Sequence, residues 1–209
     1  MKRILVLAAA ITVGLGFGIS AQAQTTPAGS APVTTPARRP HDAATETGRD
    51  VAQQKRIEQG LQSGQLSTGE ARKLEAGQAR IDKTEQRDLR NGSLSASERA
   101  QIQHQQNRES VAIQKDKHNS VKGNPDSLRS NLAQADVQRN LNQQLRLHNG
   151  VKQGSLTNRE LGRAEGAEAR IGRMESRPDT LRRTARVQRA DNRASRGIYR
   201  AKHNRRGRR

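Results

Sequence analysis

Three segments of the chain repeat the pattern Gly-x-Leu-(Ser/Thr)-x-x-Glu, at residues 64–70, 92–98 and 154–160. This spacing matches the second half of an EF-hand loop, where a Gly precedes the bidentate Glu by six residues. A calcium loop also needs oxygen ligands at its first, third and fifth positions. No carboxylate occupies any of the nine corresponding positions, which are Gln59, Leu61, Ser63, Arg87, Leu89, Asn91, Asn149, Val151 and Gln153. The pattern favours a structural joint, and a divalent-cation-responsive protein with degenerate EF-hand-like joints is the alternative.

The same pattern is typical of a joint between two helices. A Ser or Thr at the N-cap accepts from the backbone three residues on, and a Glu at that third position reaches back to form a capping box. The expected pairs are Ser67 with Glu70, Ser95 with Glu98, and Thr157 with Glu160. The Gly that opens each motif supplies the positive φ that ends the preceding helix.

Other groups that could do chemistry are scattered. The five histidines contain no pair spaced by four residues, and the chain has no Cys, so we predict no metal site and no cofactor. No nucleophile elbow or phosphate-binding loop is present, and we predict a non-enzymatic protein. Carboxylates such as Glu70 and Glu168 lie two residues from an Arg, which is expected to keep them ionised.

Composition limits what the elements can be. The 209 residues include 39 Lys and Arg, 20 Asp and Glu, one Phe and one Tyr, and the formal net charge is +19. So few large apolar side chains cannot fill one large core, and without Cys no disulfide can replace it. Apolar residues recur at helical spacing in narrow, coiled-coil-like seams, as at Leu74 and Ile81 or Leu161 and Ile171. We therefore predict an all-α fold of about six loosely packed helices.

A self-comparison predicts that the helical part is duplicated. At an offset of 90, residues 51–85 and 141–175 are identical at 12 of 35 positions, and at an offset of 85, residues 100–119 and 185–204 are identical at 9 of 20. One helical-hairpin module thus occurs twice. The predicted copies are residues 51–119 and 141–204, joined by a connector and helix start at 120–140 and followed by a basic end at 205–209.

The first 50 residues are predicted to direct and space the chain. Lys2 and Arg3, the apolar run 4–19 and the sequence Ala-Gln-Ala at 21–23 are typical of a signal peptide, residues 1–23. Residues 24–50 are rich in Pro, Thr and Ala and are predicted to be a disordered tether. We expect a periplasmic or secreted protein without a transmembrane span in its mature chain.

Most of the excess positive charge lies at the C-terminus, where residues 181–209 carry 12 basic side chains and one acidic residue, Asp191. We expect this segment to bind anionic envelope components electrostatically, since guanidinium groups bind phosphate well. Nonspecific nucleic-acid binding is an alternative, sequence-specific binding is not expected, and self-association is possible. The candidate residues are Arg182, Arg183, Arg186, Arg189, Arg193, Arg196, Arg200, Lys202, Arg205, Arg206, Arg208 and Arg209.

The repeated blocks resemble those of a group of uncharacterised exported proteins of Gram-negative bacteria. The resemblance rests on residues 53–60, 64–70 and 193–204, including the Ile-Tyr and Lys-His-Asn ending at 198–204. At 113–119 the ending is looser, because Gln114 replaces Tyr. The resemblance implies duplication and export, and it implies no activity.

Overall fold

The computed structural model describes residues 41–177 and 181–204, which form six α-helices and one short 3-10 turn. The predicted signal peptide, the tether up to residue 40 and the basic end 205–209 lie outside the described residues. The helices are α1 (His41–Gln62), α2 (Thr68–Asp88), α3 (Ala96–His118), α4 (Leu128–Lys152), α5 (Asn158–Glu175) and α6 (Leu181–His203), with the 3-10 turn at Leu89–Asn91. The predicted all-α fold of about six helices is confirmed.

Each predicted joint has the expected geometry. Capping boxes join Ser67 to Glu70, Ser95 to Glu98, and Thr157 to Glu160. The preceding glycines, Gly64, Gly92 and Gly154, have φ of 68°, 90° and 67°. Because capping uses the Ser or Thr hydroxyl and the Glu carboxylate in each motif, the EF-hand-like spacing serves helix initiation here.

One predicted boundary, the end of the tether, differs in the structure. Helix α1 begins at His41, so residues 41–50 of the predicted tether are helical, and they bury polar groups such as Thr47 and Asp50. Because the buried side chains here include polar ones, no apolar periodicity in the sequence indicated that residues 41–50 are helical. Helix α4 begins at Leu128, within the segment 120–140 predicted to hold a connector and a helix start, and it ends at Lys152.

The helices form two halves, α1–α3 and α4–α6, whose central contacts are α1 with α4 and α2 with α5. Residues related by the sequence offsets make matching hydrogen bonds. Arg56 donates to the side chain and carbonyl of Ser110, and Arg146 does the same with Ser195. Likewise Asn119 donates to Glu70 and Asn204 donates to Glu160. The duplication itself stays a prediction.

The apolar core is divided into three small clusters near the ends and edges of the bundle. Ile57, Leu61 and Leu74 belong to one, Leu147 and Leu161 to the second, and the third lies between α5 and α6. No helix in the described part of the chain is both long and apolar enough to cross a membrane. The middle of the bundle, where α2 meets α5, is filled by polar side chains instead.

Candidate metal centre

Six carboxyl groups lie in the middle of the bundle with exposed fractions of 5% or less. Helix α1 supplies one, α2 three and α5 two, and we call this set the acidic core. Its members are Asp50, Glu75, Asp82, Glu85, Glu165 and Glu168. No Lys or Arg is buried anywhere in the described residues. Within the described part of the chain, positive charge reaches the acidic core from half-buried arginines instead: Arg49 lowers the pKa of Asp50 and Arg146 lowers that of Glu168, and in both cases burial has the larger, opposite effect.

Helical periodicity brings these groups to one face. On α2, Glu75, Asp82 and Glu85 are spaced by seven and three residues, and on α5, Glu165 and Glu168 are spaced by three, so each set lies along one side of its helix. Glycine lets the two helices approach closely. A Cβ added to Gly172 would lie 2.9 Å from the Cβ of Ala79 on α2. The two acidic faces are consequently pressed together.

The densest part of the acidic core joins both halves of the molecule. Single carboxylate oxygens of Asp82, Glu85 and Glu165 all lie within 4.8 Å of one another. Two unit charges 4.8 Å apart repel by about 3.5 kcal/mol at an effective dielectric constant of about 20. Three such pairs cost roughly 10 kcal/mol, which is comparable to the whole net stability of a domain. At least one of the three groups must therefore be protonated, or a bound cation must offset their charges.

Many hydrogen-bond acceptors in this region lack a donor. All of them are carboxylate or amide oxygens. Among the described residues, neither carboxylate oxygen of Glu85 receives an N–H or hydroxyl donor, and its one hydrogen-bond partner is the Asp50 carboxyl, which requires a proton between the two groups. One oxygen each of Asp50, Asp82, Glu165 and Glu168 is also buried without a donor. The amide oxygens facing this region behave in the same way, namely those of Gln54, Asn140 and Gln144. Buried oxygens left without donors cost free energy, and a cation coordinated by several of them would offset part of that cost.

Burial and mutual repulsion raise the pKa values of the acidic core. Burial, followed by the charges of Asp50 and Glu165, raises the pKa of Glu85 well above its usual range. Burial raises the pKa of Asp50 to about 7 even though Gln106 donates to it, and burial with the Asp50 charge raises the pKa of Glu165 to about 8. Near neutral pH these groups exchange protons readily, which suits a site where a cation replaces a proton.

A small void lies beside this group of carboxylates. Its volume is about 10 Å³, roughly the space that one ordered water needs on the same measure. Carboxyl groups of Glu75, Asp82 and Glu168 line it, together with the amides of Gln54, Asn140 and Gln144. Oxygen is thus available from several directions around a space of single-ion size.

The two halves of the molecule treat equivalent positions differently. Asn140 is the counterpart of Asp50, and its amide N–H groups donate to Glu75 at 3.0 Å and to Glu175 at 2.9 Å. Asp50 lies beside Glu165 and Glu85, the counterparts of Glu75 and Glu175, and has no N–H to offer them. Each pair joins one carboxylate from α2 and one from α5, and of the two pairs the one beside Asn140 is bridged by an amide donor.

The donor set indicates the class of ion. Carboxylate and amide oxygens are hard ligands that suit Ca²⁺, Mg²⁺ and Mn²⁺, whereas sites for Zn²⁺ or Cu²⁺ usually contain His or Cys. The carboxylates come from three packed helices, which is how helical bundles build metal sites in their cores. The arrangement can hold one or more hard cations away from bulk solvent.

The predicted ionisation of Glu168 beside Arg170 was wrong. Residues two apart on a helix do not face each other, so Glu168 is buried at 5% exposure while Arg170 is exposed. Burial and the Glu165 charge raise the pKa of Glu168 well above its usual range. For Glu70, burial raises the pKa, but hydrogen bonds from Asn119 and Ser67 outweigh it, and the net pKa is lowered as expected.

The predicted polyanion-binding residues lie away from the acidic core. On α6 the arginines at 186, 189, 193, 196 and 200 are exposed, and Lys202 is half-buried. The side chains of Arg182 and Arg183, and residues Arg205, Arg206, Arg208 and Arg209, lie outside the described residues.

The sequence-based search missed the acidic core because it looked for known loop and histidine templates. A signal was present: carboxylates and amides recur at Glu75, Gln78, Asp82 and Glu85, the spacing of one helix face. Comparison of the chain with protein-family models, curated proteins and solved structures finds no match.

Proposed function

We propose that this protein binds hard multivalent cations in its interior and acts after export, in the periplasm or outside the cell, without catalysing a reaction. The observation that carries the proposal is the set of buried oxygens without donors, above all both oxygens of Glu85. The centre consists of Asp50, Asp82, Glu85 and Glu165, and the adjacent void provides a second position. Export rests on the predicted signal peptide.

A bound cation accounts at once for the mutual repulsion of the carboxylates, for the carboxylate oxygens without donors and for the amide oxygens without donors. Protons account for only part of this. Protons neutralise charge, but a protonated carboxyl satisfies only one of the many oxygens that lack a donor. A cation coordinates six to eight oxygens at once, including amide oxygens that do not take up a proton at neutral pH. The amide oxygens of Gln54, Asn140 and Gln144 therefore favour a cation over shared protons.

The direct experiment measures retained metal. The purified full chain is stripped with a chelator, incubated with Ca²⁺, Mn²⁺ or Zn²⁺, desalted and analysed by inductively coupled plasma mass spectrometry. We expect Ca²⁺ or Mn²⁺ to be retained in preference to Zn²⁺. The double variant Glu85→Gln/Glu165→Gln should lose at least about tenfold in affinity, as ligand-set changes typically do.

The matched control is Asp126→Asn/Glu98→Gln, which removes the same charge outside the acidic core, from an exposed and a half-buried residue. Circular dichroism checks that both double variants remain helical. Equal metal retention by the two double variants, or none by the unaltered chain at millimolar cation, would refute interior binding.

A second proposal is electrostatic association with envelope polyanions through α6. It is supported by the exposure of Arg186, Arg189 and Arg196 in the described part of the helix, opposite its buried stripe of Val187, Ala194 and Ile198. Such binding weakens steeply with salt. Replacing these three arginines by Gln should reduce binding to phosphatidylglycerol vesicles at low salt.

Replacing three exposed arginines elsewhere, Arg90, Arg108 and Arg129, makes the matched charge control. Equal losses in the two triple variants would show attraction to overall charge alone and would contradict a role for α6. Binding of random-sequence DNA in place of vesicles would support the nucleic-acid alternative.

A further inference from the structure

A long groove runs between α5 and α6, on the outside of the second half. Its volume is about 1280 Å³, above the roughly 300–1,000 Å³ of ordinary small-molecule sites. Apolar side chains form its floor, among them Ile171, Met174, Ala194 and Ile198. Ile171 and Ile198 are 1% exposed, and they belong to the third and the second apolar cluster respectively, so the floor adjoins both clusters.

Arginines border the groove on both sides. On α5, Arg163 and Arg170 lie seven residues apart, which places them in one row along the helix, and Arg177 follows shortly after the helix ends at Glu175. Seven residues of helix span about 10 Å. On the facing edge, Arg193 and Arg200 repeat at the same interval on α6. None of these five arginines has an ion pair among the described residues, so their charge is available to a ligand.

The equivalent region of the first half is filled by polar side chains. The α6 residues Ala190, Ala194 and Ala201 correspond to Gln105, Glu109 and Asp116 on α3. The Glu109 carboxylate lies against Gly77, so closely that a Cβ added there would overlap it. Gln105 accepts a hydrogen bond from Thr84 at 3.1 Å. Three alanines in place of long polar side chains thus give the second half an apolar channel that the first half lacks.

We propose that this groove binds a single-chain anionic amphiphile, with its acyl chain along the apolar floor and its phosphate or carboxylate head on the arginine rows. The charge pattern selects an anion, because guanidinium groups bind phosphate and carboxylate in paired hydrogen bonds. The floor selects a ligand with an apolar tail. This site is separate from the acidic core and does not depend on cation binding.

The groove distinguishes an amphiphile from a simple polyanion. A polyanion gains nothing from the apolar floor, and its binding would follow surface charge alone. An amphiphile buries its tail against the part-exposed floor residues Met174, Ala190 and Ala201, at roughly 25 cal/mol for each Å² of apolar surface removed from water. Binding should therefore require both the head and the tail.

The test uses myristoyl lysophosphatidic acid below its micelle concentration, with the full chain, followed by calorimetry. Two related probes separate head from tail: glycerol 3-phosphate, which lacks the chain, and monomyristoylglycerol, which lacks the charge. We expect saturable binding of one lysophosphatidic acid per protein. Monomyristoylglycerol should bind at least about tenfold more weakly, and glycerol 3-phosphate should show no heat.

The decisive variant is Ala194→Glu, which places in the groove the residue that the first half has at the equivalent Glu109. It should weaken lysophosphatidic acid binding at least about tenfold. Asn192→Glu makes the same charge change at an exposed position of α6 that does not line the groove, and it should leave binding within about twofold. Circular dichroism confirms that both variants keep their helices.

A second variant, Ala190→Gln, copies Gln105 without changing charge and should also weaken binding. Equal binding by Ala194→Glu and Asn192→Glu, or equal affinity for the charged and uncharged probes, would overturn the proposal. Binding only to phosphatidylglycerol vesicles, with no monomer binding, would also overturn it and would indicate a membrane-surface interaction. None of these outcomes bears on metal retention by the acidic core.

Discussion

The two ends of the acidic core differ at several related positions, among them Asp82, which corresponds to Gly172, and Asp50, which corresponds to Asn140. The last of these has the clearest effect on hydrogen bonding. In the second half, Asn140 donates to Glu75 and Glu175. In the first half, Asp50 stands at the equivalent position beside Glu165 and Glu85, where an acceptor replaces the donor. Asn and Asp have nearly the same shape, so a single exchange at position 50 or 140 isolates hydrogen-bond donation and charge.

The Asn140 end shows how the protein can supply hydrogen-bond donors to two buried carboxylates without a cation. At the Asn140 end, the protein itself supplies the donors that two buried carboxylates require. At the Asp50 end the same carboxylates face a third one, and Glu85 has no N–H or hydroxyl donor on either oxygen within the described residues. The sequence has Asn at one end and Asp at the equivalent position of the other. The proposed cation binding accounts for this difference.

The largest expected effect is on the pH dependence of stability. Folded pKa values of about 7 for Asp50 and Glu75, and about 8 for Glu165, lie above the ordinary values of unfolded carboxyls. The folded state therefore binds more protons between about pH 4 and pH 8, and the free energy of unfolding must fall as pH rises through that window. Urea unfolding followed by circular dichroism in the presence of a chelator measures this fall.

Saturating Ca²⁺ or Mn²⁺ should remove most of this dependence, because cations replace the protons and bind only the folded state. A stability that rises between about pH 5 and pH 8 without cation would contradict the assigned electrostatics. Glu70 and Glu98 act in the opposite sense, since their lowered pKa values add stability that is lost only below about pH 4.5.

The next largest effect is expected for Asn140→Asp, which makes the second end resemble the first. Glu75 and Glu175 lose their shared donor and gain a third carboxylate. Leaving a buried charge without its partner costs about 3–5 kcal/mol. We expect that loss in chelator near pH 8, with partial recovery near pH 5 and additional recovery in millimolar Ca²⁺ or Mn²⁺.

Asn142→Asp is the control for this variant, because it makes the same change at an exposed position of the same helix. Its effect should be within about 0.5 kcal/mol, as for most surface substitutions. Equal effects from the two variants would mean that the Asn140 donor contributes nothing.

The smallest of the three effects is expected for Asp50→Asn, which makes the first end resemble the second. The carbonyl of the new amide keeps the hydrogen bond from Gln106, and its N–H groups can donate to Glu85. Supplying a donor to a buried acceptor should stabilise the cation-free protein by about 1–3 kcal/mol near pH 8. Cation affinity should fall at least about tenfold, so stability and binding move in opposite directions.

Asp126→Asn, at an exposed loop position, should change neither quantity. A variant at Asp50 that destabilises the cation-free protein, or that binds cations as tightly as the unaltered chain, would contradict the comparison between the two ends.

The sequence was sufficient for the local structure and insufficient for the interior. Capping at Ser67 and Thr157, and the positive φ at Gly64 and Gly154, depend on residues a few positions apart, so their patterns are readable directly. The acidic core depends on α2 and α5 meeting through Gly172, a contact between residues far apart in the chain. Side chains such as Glu165 are ordinarily exposed, and only tertiary packing made them central.

Net charge was misleading for the same reason. A formal charge of +19 describes the whole chain, and it suggested a protein dominated by binding to anions. The described structure separates the charges instead, with acidic groups such as Glu85 inside and arginines such as Arg193 outside. Composition could not show that separation, because it carries no information on which residues share a helix face.

The most direct measurement of interior cation binding is the release of protons when a cation is added near pH 7. Chelator-treated protein in weak buffer is titrated with Ca²⁺ or Mn²⁺ while a pH-stat counts the protons, and calorimetry in two buffers of different ionisation enthalpy checks the count. Exchange in the acidic core predicts at least about one proton released per cation bound, and a much smaller release from Asp50→Asn. No binding at millimolar cation, or binding without proton release that Glu85→Gln/Glu165→Gln leaves unchanged, would contradict it.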